Sequence, residues 1–484
     1  MKLLETFDSL LNGWRSVFSQ ERTFQRARRL TFGFLACLRV HLTSTAICAS
    51  GRQFQDWSAD YRLCSRSPWK PRALFDAVLD HLPQLLPSPE APVFAALDDT
   101  VLKKTGRRIP GVKILRDPMS LPFHVNLCYG LRFVQASVLV SPPQADGPAR
   151  ALPVRFDFAP PVSKPKKNAP PEDWANYKEE QKKRTLSLAG VETIRSLRAS
   201  LDERPETRNR QLIVSGDGSY TNREVLKRLP ERTTFIGRIR RDAKLYYPLP
   251  ATGSADKPQG RPRRYGPWAP TPDQILKDES IAEIRVRCFA AGQFRQIPVK
   301  VLRNIYWRNA GVDIPLQVVV IKPLGYRLRN GSKVLYRQPA FLICTDPELD
   351  LAPLIQAYIN RWEIECNHRD EKSLIGAEQG QVRNPSSVER LPQLQVAGYS
   401  LLLLASLLSS GFERTSEYLP LPKWRRKSIR PSLLDLLALL RDQIFATAAD
   451  TPVLHFEDFS NNDTCEAKSQ KQPLASDTLC TLAA

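Results

Sequence analysis

At 484 residues the chain exceeds what one ordinary hydrophobic core organises, so roughly two to four domains, or a catalytic domain carrying insertions, are expected. Its 42% apolar and 25% charged residues are the make-up of a globular protein with material for a sizeable core. Lys and Arg number 71 against 50 Asp and Glu, and the resulting +21 is spread from "RTFQRARRL" to "PKWRRKSIRP", a bias that points to a polyanion, nucleic acid above all.

The nine cysteines show no CxxC pair and no histidine at zinc spacing, and most lie in apolar runs such as "FLACLRV" and "FLICTD". That pattern excludes a disulfide framework or a zinc site and reads as reduced core thiols in a cytosolic protein.

"MKLLETFDSLLNGWRS" has an amphipathic helical pattern carrying Glu5 and Asp8, so no signal peptide is expected. Residues 1–90 hold helical periodicities and are read as a small all-helical unit. Within it "GRQFQDWSADYRLCSRSPWKP" interleaves Arg52, Arg62 and Arg66 with Phe54, Trp57, Tyr61 and Trp69. Basic and aromatic residues beside a helix pair suit a module that binds DNA ends, and packing of a small helical domain explains the aromatics equally well.

From residue 92 the pattern changes to strands: "PVFAALDDT", "HVNLCYGLRFVQASVLV" and "ALPVRFDFAP". A Pro- and Lys-rich loop leads into the helix "SLAGVETIRSLRASLDE", followed by the buried strand "RQLIVSGDGSY", a helix and the strand "TTFIGRIR". This order belongs to an α/β sheet over residues 91–239. Residues 240–335 carry β-branched, alternating runs with no intervening helix and are expected to form a mainly β insertion. The chain returns to helix for residues 336–445, where the apolar segment 394–412 is expected to be a buried core helix and not a membrane span. Residues 446–484 have the composition of a disordered tail.

Two strands end in acids, Asp98 with Asp99 and then Asp217, and the charged helix at 358–374 contributes Glu365. Carboxylates at adjacent strand ends, joined by one from a helix crossing the sheet, supply the hard oxygens that two magnesium or manganese ions require. Such a pair clamps the attacking and leaving oxygens of a phosphodiester. Tyr358, Arg361, Glu365 and Lys372 are spaced to line one stripe of a helix, one carboxylate among groups that hold a phosphate backbone. His368 either orients a phosphate or packs on that helix.

The run Tyr358-x2-Arg361-x3-Glu365-x6-Lys372 resembles the Tyr-Arg-Glu-Lys signature of bacterial DDE transposases of the insertion-sequence-four type. "FAALDDTVLKKTGRR" and "LIVSGDGSYTN" are similar to that family's first and second Asp strands, and "ALDDT" with the strands after it is similar to the related insertion-sequence-701 branch. The likeness covers roughly residues 92–410. It implies an RNase H-like catalytic core, a β-rich insertion between the second Asp and the Glu, and an N-terminal helical domain that binds transposon ends.

By the same resemblance Asp98, Asp217 and Glu365 are the catalytic metal ligands, and Tyr358, Arg361 and Lys372 contact DNA near the cleaved end. Arg369 is added to these DNA contacts. Asp99 stands where the family commonly has a small residue, which leaves it an alternative to Asp98; strand alternation with Phe94 and Ala96 favours Asp98. Lys103, Lys104, Arg107 and Arg108 are candidates to follow the DNA or form a solvated loop. Trp307 and Trp268 are candidates for stacking a flipped base, against the alternative of core packing.

The expected function is cleavage at insertion-sequence ends and strand transfer into target DNA, with Mg2+ or Mn2+ at a two-metal site. The expected partners are terminal inverted repeats, target DNA and a second copy of the chain, in the cytoplasm at the nucleoid. An inactive DNA-binding repressor and a nuclease without strand transfer are the alternatives.

Overall fold

The computed structural model describes residues 2–38, 40–117, 120–121, 124, 126–142, 147–250, 263–327, 331–424 and 428–450. The tail expected from residue 446 falls mostly outside them; its first residues, to Asp450, close a helix.

The chain opens with helices α1 (Leu3–Leu11), α2 (Glu21–Ala36), α3 (Thr43–Ala49), α4 (Ser58–Ser65) and α5 (Asp76–His81). Strands β1 (Val93–Lys103), β2 (Lys113–Arg116), β3 (Leu127–Val140) and β4 (Arg150–Phe158) follow, then helices α6 (Pro171–Lys183) and α7 (Leu186–Asp202). Strand β5 (Leu212–Gly216), the short helix α8 (Arg223–Leu226) and strand β6 (Thr233–Arg238) come next. Beyond them lie β7 (Leu245–Tyr246), β8 (Trp268–Ala269), helix α9 (Pro272–Lys277), β9 (Ile284–Ala290), β10 (Gln293–Trp307), β11 (Gly311–Ile321), β12 (Gly325–Tyr326), β13 (Leu335–Tyr336) and β14 (Ala340–Cys344). Helices α10 (Leu351–Asn360), α11 (Trp362–Ser373), α12 (Pro385–Ser410) and α13 (Leu433–Asp450) complete the fold.

One twelve-stranded sheet runs in the order β2-β3-β1-β5-β6-β14-β11-β10-β7-β8, with β4 also on β3 and β9 on β10. Around the acids the local order is β4-β3-β1-β5-β6. The first three are antiparallel and β1, β5 and β6 parallel, a mixed α/β arrangement consistent with the RNase H-like fold. Every residue of β5 is buried, as expected for a parallel strand with both faces covered.

Alternation along β1 sends its side chains to two different layers. Val93, Ala95 and Leu97 enter the large core shared with α7, α12 and the N-terminal helices, whereas Ala96 packs against Ile364 of α11. Ile213 and Ile236 face Leu354 and Ile355 of α10 in a second cluster. The sheet therefore lies between helices α10 and α11 on one face and the remaining helical layer on the other.

The helices before residue 90 and the strands after residue 240 are built into the larger core and sheet. The N-terminal helices have no core of their own: Leu3, Phe7 and Trp14 join the same buried cluster as Leu401 and Leu437. Their apolar faces are completed by α12, which is buried on all sides and could not stand in solvent. The strands of the expected β insertion likewise extend the central sheet, because β14 pairs with both β6 and β11. The helix α12 is long and apolar enough to cross a membrane, yet its most apolar window is 94% buried inside the protein, which makes it a core helix.

Candidate active site

Asp98 and Asp217 come together because β1 and β5 are parallel and in register: Leu97 pairs with Gly216, and each acid is the next residue on its chain. Asp98 continues the face of Phe94 and Ala96 and so points toward α11. There Arg361 donates to Asp98 Oδ2 at 3.3 Å and to Glu365 Oε1 at 2.9 Å. Asp99 turns toward the opposite layer, where Arg132 Nε stands 3.5 Å from its Oδ2 and the Tyr220 hydroxyl 3.5 Å from its Oδ1. Asp98 is thereby linked through Arg361 to Glu365, while Asp99 is held by Arg132 and Tyr220.

The electrostatics agree with the geometry. Burial, followed by the negative charge of Asp217, pushes the Asp98 carboxyl up to about 7, with Arg361 acting the other way. Burial raises Asp99 as well, opposed chiefly by Arg132. Asp217 is held by the turn that follows β5: the Ser219 amide donates to its Oδ1 at 2.8 Å and the Ser219 hydroxyl to its Oδ2 at 3.2 Å.

The charged segment is not one uninterrupted helix. Arg361 is both the last residue of α10's cap and the cap of α11, and the Ile364 amide reaches back three residues to the Arg361 carbonyl at 3.1 Å, a tightened turn. Tyr358 consequently sits on α10, half-buried against the second core cluster, while Glu365 and Lys372 share α11. Burial pulls the Lys372 ammonium below its ordinary value, and its charge acts on Asp99.

Other expected residues stand elsewhere. Arg369, one turn after Glu365 on α11, is 69% exposed and pairs with Asp370 at 2.9 Å, with no contact to the three acids. Lys104 is buried and donates to the carbonyls of Glu378 and Gly380, both at 2.7 Å, so it braces the chain after α11 instead of facing a strand of DNA. Lys103 pairs with Asp117 at 2.8 Å, Arg107 lies over the Tyr129 ring, and Arg108 is exposed. Trp307 is 9% exposed and belongs to the core, because its strand is paired on both sides; Trp268 is 62% exposed and stacks on Tyr246. His368 is buried beneath α11, and burial, with Lys372 and Arg361 nearby, drives it down to about 3, so it packs as a neutral ring.

The sequence reading overlooked Arg132 and Tyr220, which hold Asp99. A lone arginine in the apolar run "GLRFVQASV" was the available signal, since an unpaired charge on a buried strand needs a partner.

The profile of the DDE superfamily endonuclease family matches residues 16–297. The chain belongs to the DDE superfamily endonucleases. The match takes in helices α2 to α5, Asp98 and Asp217 and ends before Glu365, whose place beside them rests on Arg361 and the packing of α11 on β1. No curated protein matches the chain. As a DDE endonuclease it is a nuclease or transposase type of enzyme with DNA as the substrate its family implies, and such nucleases generally use divalent metals.

The carboxylates fit that requirement in kind. They are hard oxygen donors, and burial, followed by the charge of Asp217, raises the Asp98 carboxyl. Among the described residues no three acids, histidines or cysteines stand close enough to chelate an ion as they are. The Arg361 guanidinium instead lies between Asp98 and Glu365 and neutralises them.

Proposed function

We propose that the protein is a DDE transposase of the insertion-sequence-four type that cleaves DNA at the ends of a mobile element and joins the freed 3′ ends to target DNA. The observation that carries this reading is the alignment of Asp98 with Asp217 across two parallel strands, with Glu365 tied to Asp98 through Arg361. Magnesium or manganese held by Asp98, Asp217 and Glu365 would activate the attacking hydroxyl and stabilise the leaving oxygen.

The remaining residues bind and orient DNA. Lys372 and Tyr358 hold the backbone near the cleaved end, and Arg361, released from the carboxylates, is free to pair with a phosphate. Arg132 and Tyr220 fix Asp99 so that it does not compete with Asp98. End recognition falls to the segment after α3, where Phe54, Trp57 and Tyr61 are exposed at 89%, 50% and 44% beside exposed Arg62 and Arg66. Cutting two ends and joining them calls for at least two copies in the working complex.

The test is a Mg2+-dependent cleavage and strand-transfer assay on DNA carrying the element's ends. Asp217→Asn and Glu365→Gln are each expected to lower the rate by more than the roughly 10–100-fold typical of outer-shell partners, with DNA binding retained. A rate within a few-fold of wild type for either variant would remove that residue from the metal site. Cleavage with no joined product would make the protein a nuclease.

A further inference from the structure

Helix α11 has a second functional face. Arg361, Glu365 and Lys372 line the side toward the acids, whereas Glu363, Cys366 and Asp370 lie on the opposite side, where they wall a cavity of about 410 Å3. Its other walls come from the start of β4, from α12 and from the beginning of α13. That volume lies toward the small end of the roughly 300–1,000 Å3 usual for small-molecule sites.

The cavity is built of donors. Three guanidiniums, those of Arg150, Arg369 and Arg430, open on it against two carboxylates, and each carboxylate already has a partner. Glu363 is paired with Arg430 at 2.7 Å and Asp370 with Arg369 at 2.9 Å. Arg150 has no carboxylate hydrogen-bonded to it, although the charge of Glu363 acts on it. It is 6% exposed, gives one nitrogen to the Pro431 carbonyl at 2.9 Å, and its Nε is buried with no partner. Burial and the adjoining Arg430 pull its pKa down to about 10, so it stays charged at neutral pH. The Tyr399 hydroxyl accepts from Asn367 and keeps its own proton to donate.

A buried, charged donor without an acceptor costs free energy unless a ligand supplies one. We infer that this cavity binds the phosphate group of a small phosphorylated molecule of nucleoside monophosphate size, held by Arg150, Arg369 and the Tyr399 hydroxyl on the face of α11 opposite the acids. The tetrahedral dianion presents acceptors to several guanidiniums at once, which a carboxylate or halide does less well. The site needs none of the carboxylates assigned to metal, so it does not rest on the transposase reading.

The experiment is titration of the full chain, free of added metal, with inorganic phosphate, a deoxynucleoside monophosphate and a 5′-phosphorylated single-stranded oligonucleotide, followed by calorimetry. In parallel, the rate of Cys366 alkylation is read by mass spectrometry of its peptide, because that thiol lines the cavity. The monophosphate is expected to bind and to slow Cys366 alkylation at least fivefold. Arg369→Glu, at a side chain 69% exposed, and Arg150→Met should each weaken binding at least tenfold.

If Arg150→Met fails to fold, Arg369→Glu with the alkylation readout decides alone. Binding of the oligonucleotide in preference to the monophosphate, with the same sensitivity to Arg369→Glu and the same protection of Cys366, would identify the phosphate as that of a DNA strand. Failure of all three probes at millimolar concentration, or binding indifferent to Arg369→Glu with Cys366 unprotected, overturns the inference.

Discussion

Arg361 joins Asp98 on the central strand to the helix of Glu365, donating to Asp98 Oδ2 at 3.3 Å while its second nitrogen reaches Glu365 at 2.9 Å. A guanidinium so placed neutralises two carboxylates that would otherwise repel each other and Asp217 across a partly buried site. It also holds α11 against β1, which couples the position of Glu365 to the charge state of the acids.

Arg361→Ala therefore leaves the acids without a cation. In a chelator the variant is expected to lose about 1–3 kcal/mol of stability, the cost of stranding buried charged acceptors. Millimolar Mg2+ should recover most of that loss and stabilise the variant more than the wild type, because the ion replaces the guanidinium. Thermal unfolding with and without Mg2+ measures this; equal, negligible shifts in both proteins would mean that the acids do not take up the ion.

Glu371 gives a pH signature. It is fully buried on α11, and burial, opposed chiefly by the Gln135 side chain, pushes it up to about 8 from an ordinary 4.5. The folded state thus keeps a proton that the unfolded chain releases, and stability contributed by this group is complete below pH 4.5 and lost as pH rises toward 8. The slope is about 1.4 kcal/mol per pH unit at most. Glu371→Gln should flatten the fall in melting temperature between those limits; an unchanged pH profile would show that the carboxyl is ionised in the fold.

Lys104 separates structure from DNA contact. Lys104→Met removes the donor that satisfies the carbonyls of Glu378 and Gly380 and is expected to cost about 1–3 kcal/mol. DNA affinity and its salt dependence should stay near wild type. Lys372→Ala should instead reduce the salt slope of binding by about one phosphate contact. A reversal of these two outcomes in filter-binding measurements would return Lys104 to the DNA surface.

Gly190 on α7 meets Tyr220, since a Cβ there would lie 2.6 Å from the ring. Gly190→Ala must push Tyr220 off its place beside Asp99, at a cost of about 1–3 kcal/mol from overpacking. Denaturant unfolding reads the loss directly. A neutral or stabilising result would mean that the ring has room to move and does not position Asp99.

What the sequence determined by itself is local. The apolar runs leading to Asp98 and Asp217 read as strands, because period and side-chain chemistry are written in neighbouring residues, although β1 continues past the acids to Lys103 and the charged segment read as one helix is two, α10 and α11, meeting at Arg361. The same alternation sends Asp98 and Asp99 to different neighbours, Arg361 and Tyr220. Burial across the chain was not legible in that way. Lys104 and Arg108 stand in one basic run, yet only the packing of residues 378–380 makes the first a brace and leaves the second exposed. Trp307 and Trp268 likewise differ only in which strands flank them. The N-terminal helices and the strands after residue 240 looked like separate units because their patterns change there, but their apolar faces find partners in α12 and in β6 through β14. Only the tertiary structure decided this, since the free energy of burial depends on what lies opposite a residue, and that neighbour is often hundreds of positions away.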